Sequence, residues 1–136
     1  MGRIVAIDYG GKRCGIATTD VLQMIANPLT TVENQKLLDY LISYCGKEPV
    51  ESFVVGQPQR HDGSASDIEK EILVFIDKLK TVLPHIPVYR VNEMFTSKMA
   101  MQSLIDSGVK KKQRKDKALL DSIAATIILQ DFLASR

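Results

Sequence analysis

Two apolar runs near the start of the chain are joined by a very short connection, and this feature restricts the fold more than any other. The runs are RIVAID, residues 3–8, and CGIATT, residues 14–19. The segment YGGKR between them is typical of a tight turn. Because parallel strands need a much longer crossover, two strands this close must pair antiparallel. The sequence therefore predicts an antiparallel hairpin at the start of the fold.

The rest of the chain alternates between predicted strands and helices. Further strands are predicted at 28–32, 51–58 and 86–93, and helices within 33–45, 66–83, 96–108 and 116–136. Ser66 or Asp67 is the expected N-cap of the second helix, and Thr96 that of the third. Strands joined through helices run parallel by right-handed crossovers. The prediction is an α/β fold with a five-stranded mixed sheet, an antiparallel three-stranded meander followed by parallel strands, and helices on both faces.

The length and composition fit one globular domain. A chain of 136 residues that is 45% hydrophobic and 25% charged can bury a proper core, so a single domain is expected over 1–136. The chain shows no targeting segment and no apolar run long enough to span a bilayer, so a cytoplasmic protein without membrane attachment is expected. Cys14 and Cys45 lack metal-ligand spacing, which favours two reduced thiols over a disulfide framework or a zinc site.

Positive charge is concentrated in one segment. KKKQRKDK, residues 110–117, holds six cations and one anion and therefore carries +5. Because the whole chain carries +2, the remainder carries −3. Such a cluster indicates a phosphate-binding patch, with a solvated loop as the alternative.

Three acidic residues fall at positions where a sheet protein collects ligands. Asp8 ends the first predicted strand and Glu93 the last, so both carboxylates would leave the same edge if these strands lay parallel and side by side. Asp121 lies in the apolar segment ALLDSIAATIIL and needs a metal ion or a cation as its partner, for which Lys117 is one alternative. Each acid alone could be an ordinary turn or surface residue. Together they predict a divalent-metal site close to the basic patch.

Five segments occur in order along nearly the whole chain: AIDYGGKRCGIATTD, VVGQP with DGS after it, VNEMFTS, SGVKKKQRKD and LLDSIAATIILQDFL. Through these five segments and their order, the chain resembles the YqgF family, whose members are described as Holliday junction resolvases or pre-16S ribosomal RNA nucleases. The resemblance implies a ribonuclease-H-like fold and a hydrolase that cleaves phosphodiester bonds, acting in 5′-end maturation of the 16S ribosomal RNA precursor.

The resemblance also implies roles for individual residues. Asp8, Glu93 and Asp121 would be the catalytic acids and would hold two Mg²⁺ or Mn²⁺ ions, for which hard oxygen ligands are suited. Asp8 would bridge both ions, and the other two acids would each hold one. The expected nucleic-acid contacts are Lys12, Arg13, Arg60, Lys111, Lys112 and Arg114.

Three positions depart from the family pattern. Asn92 stands in place of an Asp before Glu93, which leaves a neutral amide oxygen as a weak ligand. Met94 stands in place of an Arg, which removes a phosphate contact, and Gln57 replaces a Leu.

Two alternatives to the RNA nuclease stay open. A resolvase of four-way DNA junctions would need a symmetric dimer to nick two strands, and the chain is expected to be a monomer or a homodimer. A nucleic-acid-binding protein without catalysis is the second alternative, because of Asn92 and Met94. The partner in every case is nucleic acid, with structured RNA preferred and branched DNA as the alternative.

Overall fold

A five-stranded mixed sheet forms the centre of the structure, a computed structural model whose described residues are 2–58, 67–92 and 117–136. The strands are β1 (Arg3–Asp8), β2 (Arg13–Thr19), β3 (Ala26–Glu33), β4 (Val50–Gln57) and β5 (Val88–Asn92). Their order across the sheet is β3-β2-β1-β4-β5. β1 and β3 each pair antiparallel with β2, whereas β4 pairs parallel with both β1 and β5. The predicted meander and the parallel strands that follow it are confirmed.

Three helices belong to the described part of the chain. A short 3-10 turn at Asn34–Lys36 leads into α1 (Leu37–Lys47), and α2 (Glu69–Val82) and α3 (Lys117–Ser135) follow. The helix predicted within 96–108, with Thr96 as its cap, lies outside the described residues.

The start of α2 differs from the prediction. Ile68 occupies the N-cap position and makes no side-chain capping hydrogen bond, so the predicted cap at Asp67 is wrong, and Ser66 lies outside the described residues. The first turn carries Glu69 and Glu71 instead, and negative charge there interacts favourably with the helix dipole.

Alternation along β1 divides the core into two layers. Val5 and Ile7 face one side of the sheet and pack against α1 and α2, while Ile4 and Ala6 face the other side and pack against α3. Helices therefore cover both faces, as predicted. Both cysteines are free thiols, Cys14 buried and Cys45 half-buried. No helix within the described ranges is both long enough and apolar enough to cross a membrane.

Candidate functional site

Asp8 stands where β1 ends and leaves the core on the side of α3. Its cross-strand partner is Gly15 of β2. Side chains two residues apart share a face of the sheet, so the half-buried Asp8 follows Ile4 and Ala6 towards α3. The backbone of the hydrogen-bonded strand holds this carboxylate at a fixed position.

Gly15 brings α3 to the same place. A Cβ atom added to Gly15 would lie 2.0 Å from the backbone oxygen of Asp121 and 2.9 Å from the nitrogen of Ser122. Since real Cβ atoms do not approach backbone that closely, α3 can cross β2 here only because residue 15 has no side chain. Asp8 and Asp121 thus both lie next to Gly15: Asp8 is opposite it on the neighbouring strand, and Asp121 is on the helix that packs against it.

The Cys14 thiol is a third ionisable group in this region. Burial raises its pKa from 9.0 to about 12, and the negative charges of Asp8 and Asp121 both add to that increase. A hydrogen bond from the Gly10 backbone acts in the opposite direction. Both carboxylates are therefore close enough to Cys14 for their charges to act on it.

Arg13 is the cationic partner of Asp121 that the sequence requires. Its Nε donates a hydrogen bond to Asp121 Oδ2 at 2.7 Å, and the two side chains are 39% and 30% exposed. The sequence proposed either a metal ion or a cation such as Lys117, and the pair observed is with Arg13. This residue had been assigned only to nucleic-acid binding.

The turn that follows Asp8 is fixed by close packing and by the segment before α1. A Cβ atom on Gly10 would lie 2.3 Å from the carbonyl oxygen of Arg13, so only glycine fits there. The Asn34 backbone N–H donates to the Lys12 carbonyl at 3.0 Å, and its side-chain amide donates to the Gly11 carbonyl at 2.6 Å. Lys12 is exposed at the tip, beside Arg13.

β5 reaches the same edge of the sheet but is not adjacent to β1. The condition under which Asp8 and Glu93 would leave adjacent strands is met only in part: β1 and β5 run parallel, but β4 lies between them and pairs with both. Adjacent strands are about 4.8 Å apart, so β1 and β5 are separated by roughly 10 Å. β5 ends at the exposed Asn92, and Glu93 lies outside the described residues, as do Arg60, Lys111, Lys112 and Arg114.

A second ion pair anchors β5 near this edge. Arg90 donates from Nη2 to Glu69 Oε1 at 2.6 Å and to the Gly56 carbonyl at 3.2 Å, and from Nε to the Val55 carbonyl at 3.1 Å. The side chain thus connects β5, the end of β4 and the first turn of α2. Sequence reasoning missed this clamp, because Glu69 has the spacing of an ordinary first-turn acid.

The chemistry of the donors fits a hard divalent cation. Asp8 and Asp121 offer carboxylate oxygens, the ligands that Mg²⁺ and Mn²⁺ prefer. Within the part of the chain that the structure describes, no three His, Cys, Asp or Glu side chains group together at metal-binding distance. The third acid of the predicted set, Glu93, falls outside that part.

Two cavities formed by described residues lie near the turn, and neither is lined by Asp8 or Asp121. A cavity of about 400 Å³ beside the turn is lined by Gly11, Lys12, Arg13, Glu33, Asn34 and Gln35. A larger cavity of about 560 Å³ lies on the other face of the sheet, next to α1 and α2, and neither Asp8 nor Asp121 lines it. The cations Lys12 and Arg13 beside the turn suit an anionic partner.

Two curated relatives match nearly the whole chain. A protein of Phocaeicola vulgatus is 52% identical over 136 residues, 100% of this chain and 98% of the relative. One of Christiangramia forsetii is 52% identical over 133 residues, 98% of each chain. Both relatives are named "Putative pre-16S rRNA nuclease".

Two solved structures share the fold. T. thermophilus RuvC in complex with Holliday junction substrate has a TM-score of 0.60 at 16% identity, covering 98% of this chain and 95% of that one. A second Thermus thermophilus RuvC structure has a TM-score of 0.52 at 14% identity, covering 97% and 95%. The ribonuclease-H-like fold is therefore confirmed. The model of the RuvX family, described as Holliday junction resolvase, matches residues 2–135, so the chain belongs to this family, which is the one that its motifs resemble under the name YqgF.

Proposed function

We propose that this protein is a metal-dependent nuclease that hydrolyses phosphodiester bonds in the precursor of 16S ribosomal RNA and thereby matures its 5′ end. The observation that carries the proposal is the convergence of Asp8 and Asp121 at Gly15, at a sheet edge that also carries Lys12 and Arg13. Membership of the RuvX family supports phosphodiester hydrolysis. The names of the relatives support the RNA substrate. We propose the cytoplasm as the location in which it would act.

Asp8, Glu93 and Asp121 are the residues that would hold Mg²⁺ or Mn²⁺. When bound, such ions lower the pKa of water and stabilise negative charge on the phosphate. The chain itself supplies the rigid strand end at Asp8 and the helix backbone that fixes Asp121 over Gly15. Asn92, in place of the family's Asp, brings an amide oxygen and no charge, so the three acids are the complete set of charged ligands in this proposal.

The cations of the chain would hold the nucleic-acid backbone against this edge. Lys12 is exposed at the tip of the turn, and Arg13 lies beside it with an exposed fraction of 39% for its side chain. Arg60, Lys111, Lys112 and Arg114 complete the proposed set of phosphate contacts. Contacts to phosphate give affinity and position the strand without selecting its sequence.

One specific observation favours a second substrate. The fold matches that of a RuvC structure in complex with a Holliday junction, and the family bears the name of that activity. A four-way DNA junction is therefore the alternative substrate, and its resolution would require a dimer to nick two strands.

Side-by-side cleavage assays test the proposal. Labelled pre-16S RNA and a labelled four-way DNA junction are incubated with the protein in Mg²⁺ or Mn²⁺, and in EDTA. We expect the RNA to be cut in the presence of metal only. Cleavage of the junction alone would replace the RNA substrate with DNA, and binding without cleavage in either metal would contradict catalysis.

Acid-to-amide variants locate the activity at the proposed residues. Asp8→Asn and Asp121→Asn should each lower the cleavage rate by at least a hundredfold while the circular dichroism spectrum stays unchanged, since each removes a charged ligand. Asp131→Asn, an exposed position of α3, is the matched control and should cleave at the wild-type rate. Unchanged cleavage by Asp8→Asn would place the active site elsewhere.

A further inference from the structure

The ion pair between Arg13 and Asp121 connects the two ends of the chain at the proposed metal site. The paired residues are 108 positions apart, and the bond from Nε to Oδ2 is short, 2.7 Å. Asp121 lies on α3, where Gly15 fixes its backbone, and Arg13 begins β2, where its carbonyl packs against Gly10. Both side chains therefore start from rigid backbone and meet at the Asp121 carboxylate, which is one of the proposed metal ligands.

The physical effect of this contact is to neutralise one of two neighbouring acids. Asp8 is the cross-strand partner of Gly15 and the backbone of Asp121 lies against Gly15, so their negative charges lie in the same region and repel each other. The guanidinium of Arg13 offsets part of that repulsion. Because both partners are about one-third exposed, water screens the pair, and its net contribution to folding is small. A pair of this kind can be broken at little cost.

A divalent ion would interfere with this pair in two ways. It would bind the Asp121 carboxylate, to which Arg13 now donates, and its double positive charge would repel the guanidinium. Released from Asp121, Arg13 would keep all its donors for a phosphate, whose oxygens match the planar fork of a guanidinium.

From this geometry we infer that Arg13 is a built-in counter-ion that competes with the metal for Asp121 and is released towards the substrate phosphate when the metal binds. The inference rests on the proposed function, since it assumes that Asp121 is a metal ligand. Arg13 is therefore a positioning residue, because it affects the affinity for metal through its contact with Asp121. A purely structural ion pair would stabilise the fold and leave the affinity for metal unchanged.

The test measures Mn²⁺ binding directly, without any cleavage assay. Free Mn²⁺ is followed by electron paramagnetic resonance during titration of the wild type and of Arg13→Gln. Removing a competing cation should tighten Mn²⁺ binding by roughly three- to tenfold. The same variant should melt close to the wild type in EDTA but gain more in melting temperature at a given Mn²⁺ concentration, because it binds the metal more tightly.

Two further variants separate competition from a general effect of charge. Arg3→Gln removes an arginine from a similarly exposed ion pair, Arg3 with Glu48 at 3.2 Å, at the opposite end of β1, and should bind Mn²⁺ like the wild type. Arg13→Lys keeps the positive charge and should stay close to the wild-type affinity. Unchanged or weaker Mn²⁺ binding by Arg13→Gln would overturn the inference, as would equal tightening by Arg3→Gln.

Asp8→Asn distinguishes failure of the inference from failure of the proposed function. If this variant weakens Mn²⁺ binding while Arg13→Gln has no effect, the metal site stands and the competition is refuted. If Asp8→Asn binds Mn²⁺ as tightly as the wild type, the metal is not at the proposed site, and the inference fails with it.

Discussion

Gly15 is the single residue that determines how closely α3 approaches the strands carrying the site. The close contact is with backbone atoms of Asp121 and Ser122, which cannot move aside as a flexible side chain could. Gly15→Ala should therefore lower the free energy of unfolding by about 3 kcal/mol or more, measured by urea denaturation, because an overpacked methyl group forces the helix away from the sheet. The same displacement moves Asp121 away from Asp8, so metal binding should weaken as well.

A second glycine provides the control for this prediction. Gly46 lies inside α1, and a Cβ atom there would meet nothing within 4 Å. Gly46→Ala should raise stability by about 0.5–1 kcal/mol, since alanine favours the helix. If Gly15→Ala were as stable as Gly46→Ala, the close packing of α3 on β2 would be refuted.

The thiol of Cys14 predicts how stability depends on alkaline pH. Its pKa is about 12 in the folded chain against 9.0 ordinarily, so the unfolded chain loses this proton first as the pH rises. The free energy of unfolding should therefore fall between pH 9 and 12, and each pKa unit corresponds to about 1.4 kcal/mol. In urea titrations with EDTA, the free energy of unfolding of Cys14→Ala should decline less steeply with rising pH than that of the wild type. An identical slope would contradict the electrostatic account of Cys14.

The sequence predicted individual residues unevenly. Asp8 could be located because a strand rich in β-branched residues ends there, directly before a turn with two glycines. The partner of Asp121 could not be predicted, because an ion pair between residues 13 and 121 depends on how α3 crosses β2 in the folded chain. Gly15 lies within a predicted strand. Nothing in the sequence shows whether a glycine there allows close contact with a helix or makes no such contact.

At the scale of elements, the clamp between α2 and β5 holds the strand that leads towards Glu93. Glu69 is 8% exposed and accepts hydrogen bonds from two nitrogens of Arg90. Glu69→Gln leaves the Arg90 guanidinium without its counter-charge in a largely buried place, so the free energy of unfolding should fall by about 2–3 kcal/mol.

The exposed pair of Arg3 and Glu48 supplies the matched comparison. Glu48→Gln makes the same chemical change where the carboxylate side chain is 40% exposed, and it should cost less than about 1 kcal/mol. Thermal or urea unfolding of the two variants gives both values. Equal losses would mean that the clamp contributes no more than a surface ion pair.

The elements were predicted well, and their lateral order was not. Periodicity and turn residues located the five strands, because hydrophobic alternation is local information. Right-handed crossovers predict that β1, β4 and β5 run parallel. They do not determine which of these strands are adjacent in the sheet. The placement of β4 between β1 and β5 comes from long-range packing.

At the scale of the whole molecule, positive charge is unevenly distributed along the chain, and we propose that this distribution sets the strength of binding to nucleic acid. The segment 110–117 carries +5 in a chain whose remainder carries −3. If Lys111, Lys112 and Arg114 each contact a phosphate, replacing all three by Ala should flatten the slope of log affinity against log salt by about 2–3, since each contact contributes roughly 0.7–0.9. Fluorescence anisotropy at several salt concentrations measures this slope.

Three lysines of α2 test whether the effect is specific. Lys70, Lys78 and Lys80 are exposed on a helix that covers the other face of the sheet, and replacing them by Ala removes the same charge. This triple variant should leave the slope close to that of the wild type. Equal flattening in both triple variants would show that only net charge matters.

The proposal that Asp8, Glu93 and Asp121 together hold a divalent metal ion is tested most directly by the anomalous scattering of a crystal grown with Mn²⁺. We expect a peak within about 2.0–2.3 Å of carboxylate oxygens of Asp8 and Asp121, with Glu93 as a further ligand, at the carboxyl end of β1. A peak at another surface, or Glu93 directed away from the other two acids, would contradict it.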